Sequence, residues 1–322
     1  MESYENNKNN ANNANNENNE NNENNANNIN NNINKVSNEY EIIKKVGSGS
    51  FGEVYLTKII STEKLVASKI EEKNGNRNNS KIFDEYKIYK ILNLKGFNKG
   101  IPKIYSFYET PKFNVLVMEL LGDNLDSIFN KYNKKLELCT VLKIGYEIIS
   151  LIEKIHNCGF IHRDIKPNNF MFGRGKKKYE LYILDFGLSK KFIKNNKHIE
   201  YKTNKSLVGT ARYTSINIHL GIEPSRRDDL EAIGYMLIYF LKGSLPWQGI
   251  KKKKGVDHLE VIGETKLSTS LTKLCQNIPS HFYEYIEYTR NLTFDENPKY
   301  NYLKNLFIRC ASENNIELKY KF

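Results

Sequence analysis

The sequence predicts an α+β protein in two parts: a small antiparallel sheet with one main helix, then a larger and mainly helical region. Three observations carry this. From Tyr40, runs rich in β-branched and aromatic residues alternate with turn residues and read as a meander of strands over 40–46, 53–60 and 65–71. A helix follows over 82–92, with Ile82, Tyr86 and Tyr89 at helical spacing, and a fourth strand over 115–120 ends at Gly122-Asp123. Beyond that point the period becomes helical: 141–156 carries a wide apolar face, and 230–241 is apolar nearly all round, which predicts a buried helix. Two short strands are expected at 160–161 and 182–184, separated by a Lys-rich turn at 176–178.

A chain of 322 residues has room for one large domain or two modest ones. Its first 34 positions do not belong to either part, because they hold 20 asparagines and almost nothing that packs. Ordering costs roughly 1–2 kcal/mol per residue, which such a tract cannot offset, so 1–35 is expected to be a disordered low-complexity extension. The remaining boundaries are expected at 36–119 for the sheet part and 120–322 for the helical part.

Charge divides along the same line. The tract carries five glutamates against Lys8, a net of −4, so the remaining chain carries +16 of the overall +12. That excess predicts an acidic partner: phosphate, acidic protein, nucleic acid or an anionic membrane. Four cysteines, Cys139, Cys158, Cys275 and Cys310, form no Cys-x-x-Cys pair, so neither a disulfide framework nor a zinc site is expected. No apolar run approaches the roughly 20 residues of a membrane-spanning helix, and the N-terminus has no apolar leader core. The composition points to cytoplasm or nucleus, with a monomer the expected state.

The chemistry lies in short motifs. Gly47-Ser48-Gly49-Ser50-Phe51-Gly52-Glu53-Val54 places three glycines between two strands, where backbone N–H groups can approach phosphates; alone it is equally an ordinary glycine-rich hairpin. Val66-Ala67-Ser68-Lys69 lies on the third strand, with Ala67 and Lys69 on one face, and Glu85 on the next helix can pair with Lys69. An isolated strand lysine would instead be solvated. The specific signal is His162-Arg163-Asp164-Ile165-Lys166-Pro167-Asn168-Asn169, followed 16 residues later by Asp185-Phe186-Gly187. Asp164 is placed to accept a hydroxyl proton and Lys166 to bear on a γ-phosphate, while Asn169 and Asp185 offer hard oxygen ligands for Mg²⁺.

With these motifs in order, residues from about 40 to 310 resemble a eukaryotic protein kinase, and specifically the casein kinase 1 family. In place of the usual Ala-Pro-Glu, Gly209-Thr210-Ala211-Arg212-Tyr213 leads into Ser215-Ile216-Asn217-Ile218-His219-Leu220-Gly221, similar to that family's Ser-Ile-Asn replacement. Ser225-Arg226-Arg227-Asp228-Asp229-Leu230-Glu231, Gly243-Ser244-Leu245-Pro246-Trp247-Gln248-Gly249, Lys87-Ile88-Tyr89-Lys90 and Val117-Met118-Glu119-Leu120-Leu121-Gly122 resemble it in the same places. The resemblance implies a bilobal kinase fold and a serine/threonine kinase using ATP and Mg²⁺. Lys69, Glu85, Asp164, Lys166, Asn169 and Asp185 all match the catalytic set. Met118 falls at the gatekeeper, Glu119 and Leu121 at the adenine-binding hinge, and Asp229 ties the buried helix to the catalytic loop.

The resemblance further implies substrates whose target Ser or Thr lies three residues after an acidic or phosphorylated residue, read by an anion pocket. Lys205, Arg212 and Gly249 match that pocket, but His258 stands where the family has lysine, just after the run Lys251-Lys252-Lys253-Lys254. A histidine titrates near neutrality, which predicts tighter primed substrate at about pH 6 than at about pH 7.5. Other departures are Ser68, expected to face away from ATP at a small packing cost, Asn168, and Asp123-Asn124 after the hinge. His156, His198, His219 and His281 read as structural or exposed, and His162 as a support of its loop. Nucleic acid is not the expected primary partner. The sequence ends soon after the last motif-bearing helix, and constitutive activity is expected. The rival reading is a catalytically weak scaffold of the same fold that binds acidic partners or nucleic acid.

Overall fold

The computed structural model describes residues 38–49, 51–73, 80–251, 255 and 257–322. The Asn-rich extension, Ser50 and Lys252 to Lys254 lie outside the described residues. The chain divides into two compact units, one holding residues up to Ile82 with Tyr105–Glu119, the other Phe83–Ile104 with Leu120–Phe322. Residues 83–104 thus group with the helical unit, whereas the sequence places them with the sheet. The reason is local: on that helix Tyr89 is buried with its ring 4.9 Å from Phe186 in an edge-on contact.

The first unit is a five-stranded sheet of β1 (Tyr40–Gly49), β2 (Gly52–Ile59), β3 (Leu65–Glu72), β4 (Ile104–Glu109) and β5 (Phe113–Glu119), in the order β1-β2-β3-β5-β4. Strand β4 has no counterpart in the sequence reading. Tyr40, Tyr55, Val66, Ile70, Val115 and Val117 form its buried cluster. The glycine-rich turn follows from packing as well as composition: at Gly52 a Cβ would lie 2.3 Å from the Ile70 carbonyl oxygen, so no other residue fits. Ser68 is buried, its backbone between Tyr55 and Val117, and its Oγ has no hydrogen-bond partner. An unpaired buried hydroxyl is a packing cost of the kind expected there.

Helix α1 (Lys81–Leu94) leads into the second unit, which contains α2 (Leu125–Lys131), α3 (Leu138–Asn157), α4 (Ile216–His219), α5 (Arg226–Lys242), α6 (His258–Ser268), α7 (Leu271–Leu274), α8 (His281–Asn291) and α9 (Tyr300–Glu313). Helix α5 is buried on all sides from Asp228 to Phe240, as its apolar sequence requires. Four short two-residue and three-residue strands carry the catalytic segments: β6 (Phe160–Ile161) pairs with β9 (Lys190–Lys191), and β7 (Phe170–Phe172) with β8 (Leu181–Ile183). The departure at Asp123-Asn124 has a local explanation, since Asn124 Oδ1 accepts the Ser127 N–H at 2.8 Å and caps α2.

All four cysteines are buried and free. Burial pushes the thiols of Cys275 and Cys310 up to about 11, which keeps them protonated and inert. Among the described residues no helix is long and apolar enough to cross a membrane.

Candidate active site

In the sheet unit, Lys69 on β3 is only 5% exposed, so the solvated alternative fails. Its Cε lies 3.5 Å from where a Cβ on Gly49 would stand, so the lysine stem runs along the glycine turn at ordinary contact distance. Ala67 pairs with Met118 and Val66 with Glu119 across β3 and β5, and Val54 pairs with Lys69 across β2 and β3. Gly47 and Ser48 continue the glycine hairpin opposite Val54 and Glu53, and Phe51 occupies its turn. Leu121 begins the next segment, buried, and Gly122 N–H donates to the Phe172 carbonyl at 2.7 Å.

In the helical unit the catalytic loop is built around Asp164. This carboxylate is 3% exposed and accepts three bonds: Lys166 Nζ donates to Oδ2 at 2.7 Å, Asn169 Nδ2 to Oδ2 at 3.3 Å, and Thr210 Oγ1 to Oδ1 at 2.8 Å. Asn169 Nδ2 also donates to the Asp164 carbonyl at 2.8 Å, so its Oδ1 is the atom left for a cation. Thr210 is a site residue that sequence reasoning quoted without assigning a role; its place in Gly209-Thr210-Ala211-Arg212 was the available signal. Gly209 makes this approach possible, because at φ +91° a Cβ there would stand 2.4 Å from the Arg163 carbonyl oxygen.

The loop is held from behind by α5. Asp229 accepts the N–H of His162 at 2.7 Å, the N–H of Arg163 at 2.8 Å and a His156 ring bond at 2.9 Å. Burial works to raise the Asp229 carboxyl, but the His156 bond and charge, together with His162, win and hold it below the usual range. His156 in turn meets the Tyr300 hydroxyl at 2.7 Å, and His162 meets the Leu184 carbonyl at 3.0 Å and the Phe186 ring edge-on at 5.3 Å. Both histidines are therefore structural, as read. Arg163 and Asp185 adopt left-handed φ of +68° and +64°, a strain of about 1–3 kcal/mol each that this network sustains. Glu85 on α1 and Asp185 both act electrostatically on buried Tyr89, whose hydroxyl is held well above its ordinary value first by burial and then by those charges.

The segment after Asp185 is fixed by a carboxylate that the sequence did not single out. Glu223 is buried, pairs with Lys190 at 2.7 Å and Lys205 at 3.9 Å, and acts electrostatically on Arg163. Lys205, expected in an anion pocket, thus faces Glu223. The other expected pocket residues sit on separate segments. Arg212 is exposed and lies over the Tyr239 and Tyr213 rings at 5.4 and 5.7 Å. Gly249 turns at φ +68° with open space around it, and His258 is half-buried at the start of α6. Trp247 Nε1 donates to the Arg212 carbonyl at 2.7 Å, so the segments bearing Arg212 and Gly249 are joined.

The segments around Ser215-Ile216 and Asp228-Glu231 are bonded to each other. Ser215 caps α4 and donates through Oγ to Asp228 at 2.6 Å, while the Ile216 N–H donates to Glu231 at 3.1 Å. Asp228 is pushed up to about 6, by burial first, with the Ser215 bond opposing.

Among the described residues no group of three or more His, Cys, Asp or Glu could hold a metal ion. Mg²⁺ needs none, since it is commonly held by one or two protein oxygens with water and phosphate completing the shell, and the pair Asn169 and Asp185 fits that chemistry. The protein kinase domain family model matches residues 40–302, which takes in both units and every catalytic motif. A domain of this family implies ATP as phosphoryl donor, usually with Mg²⁺, and protein as acceptor. The chain belongs to the protein kinase domain family.

Proposed function

We propose that this kinase is a serine/threonine kinase of casein kinase 1 type, acting on a hydroxyl three residues after an acidic or phosphorylated residue. The observation that carries the subtype is the bond between Ser215-Ile216 and the Asp228 and Glu231 carboxylates. It gives the Ser-Ile-Asn replacement a structural reason in this chain, because both partners come from the second distinctive motif.

The residues take the following roles. Gly47, Ser48, Gly49, Ser50, Phe51, Gly52 and Val54 form the phosphate flap, Ala67, Met118, Glu119 and Leu121 line the adenine site, and Lys69, with Glu85, serves the α- and β-phosphates. Asn169 and Asp185 hold Mg²⁺, which neutralises phosphate charge when bound. Asp164 receives the hydroxyl proton: Oδ2 already accepts Lys166 and Asn169, whereas Oδ1, with Thr210, keeps a lone pair. Lys166 stabilises charge on the transferred group. Arg212, with Lys205, Gly249 and His258, forms the surface that reads the acidic residue, and exposed Arg212 lies two residues from Thr210, which bonds the Asp164 carboxylate.

Buried Glu223 between Lys190, Lys205 and Arg163 supports constitutive activity, since a fixed carboxylate already supplies the countercharge that a loop phosphate would bring. The test is steady-state phosphorylation with Mg-ATP of three matched peptides carrying phosphoserine, Asp or Ala three residues before the target. Turnover of the first two well above the third is the expected result, without prior treatment by another kinase. Equal turnover would discard the anion surface, and no turnover would favour a scaffold.

A further inference from the structure

Lys266 lies in the last turn of α6, where a lysine on a short helix would ordinarily reach solvent. Instead it is 0% exposed. Its Nζ donates to the carbonyls of Ala211 at 2.7 Å and Thr214 at 2.5 Å, and stands 5.3 and 5.2 Å from the ring centroids of Tyr235 and Trp247. Trp247, 2% exposed, takes the carbonyl between them, that of Arg212. Two buried donors from outside the loop thus occupy three of the four carbonyls of residues 211–214.

The loop they hold has a function at each end. Thr210 touches the Asp164 carboxylate, and Arg212 is exposed with its guanidinium over the Tyr213 and Tyr239 rings. A buried lysine is expensive; a methionine of similar length would fill the same space without desolvating a charge. What the lysine nitrogen adds is a pair of N–H donors to an irregular backbone that no strand or helix satisfies. Burial pushes Lys266 down to about 7, opposed by Glu231 of α5, while Arg290 of α8 adds to the push. The nearby His219 of α4 is lowered to about 4, by burial first and by Lys266 itself, so it brings no second charge at neutral pH.

We propose that Lys266 and Trp247 form a buried clamp that fixes Arg212 relative to Asp164, and so sets how many residues separate the acidic residue from the target hydroxyl in the substrate. The clamp rests on the substrate reading above. Both are positioning residues that touch neither substrate nor the reacting atoms.

The experiment uses the full chain and peptides identical except for a single Asp placed two, three or four residues before the serine. The wild type is expected to prefer the spacing of three. In Lys266→Met the ratio of kcat/KM between the spacings of three and four should fall at least fivefold, through KM of the preferred peptide, with KM for ATP within twofold of wild type. Trp247→Phe keeps an apolar ring, loses the N–H, and should blunt the same ratio, which keeps the test open if Lys266→Met does not fold. A folded variant of either kind that keeps the wild-type spacing preference overturns the clamp. A wild type that ignores spacing altogether overturns the substrate reading, and the clamp with it.

Discussion

The catalytic loop and the surface around Arg212 lie in the same helical unit and are built on opposite plans. Residues 162–169 form one short stretch whose backbone is tied to Asp229 and whose acid, Asp164, is buried among three donors. The proposed anion surface draws Lys205, Arg212, Gly249 and His258 from four distant stretches, and Arg212 is open to water. A proton acceptor needs one fixed geometry, which contiguous residues and a dry environment supply. A cation that meets a substrate's charge must stay accessible, so its precision has to come from what lies beneath it. Here that support is Lys266 and Trp247 under the loop.

The difference predicts a graded set of losses. Asp164→Asn should lower kcat by about 10²–10⁴-fold, the usual worth of a positioned base, with KM for ATP little changed. A variant with wild-type kcat would remove Asp164 from that role. Asp229→Ala should cost about 3–5 kcal/mol of stability, because it strands two buried N–H groups and His156 together; urea melts would measure it, and Asp229→Asn should recover part of the loss.

On the open side, effects should be smaller and confined to substrate. Arg212→Ala should raise KM for the Asp peptide about three- to tenfold, as expected for one solvent-facing charge-assisted contact, and leave the Ala peptide unchanged. Equal effects on both peptides would mean that Arg212 merely shapes its loop. A separate effect, on stability alone, concerns pH. Lys266 is depressed from 10.5 to about 7, so between those values the unfolded chain holds a proton that the folded chain has released. This contribution to stability is complete above about pH 10.5 and is lost as pH falls through about 7. Melting temperatures compared between wild type and Lys266→Met should therefore shift in the wild type's favour between about pH 6.5 and pH 9. A gap independent of pH would mean that Lys266 keeps its charge throughout.

Much of this molecule was legible from short-range pattern. The strands over residues 40–72, the helices through 141–156 and 230–241, and the catalytic motifs all lie where the sequence places them, because each is fixed by periodicity or by residues a few positions apart. The extra strand β4, with half-buried residues throughout, lacks the clean alternation that would announce it. Asp229 could be assigned to the catalytic loop only through resemblance, and the structure supplies its reason in three bonds.

What the sequence could not show is where unremarkable charged residues go. Neither Glu223 nor Lys266 lies in a motif or an apolar repeat that marks burial, yet both are buried. The tertiary structure decides otherwise, because irregular loops leave carbonyls and cations that only a residue far along the chain can reach. By itself the sequence determined the element order, the buried helix and which motif residues lie close along the chain. Only the fold decided which charges are enclosed, and enclosure is what turns Lys190–Glu223 and Lys266 from surface residues into supports of the active segment.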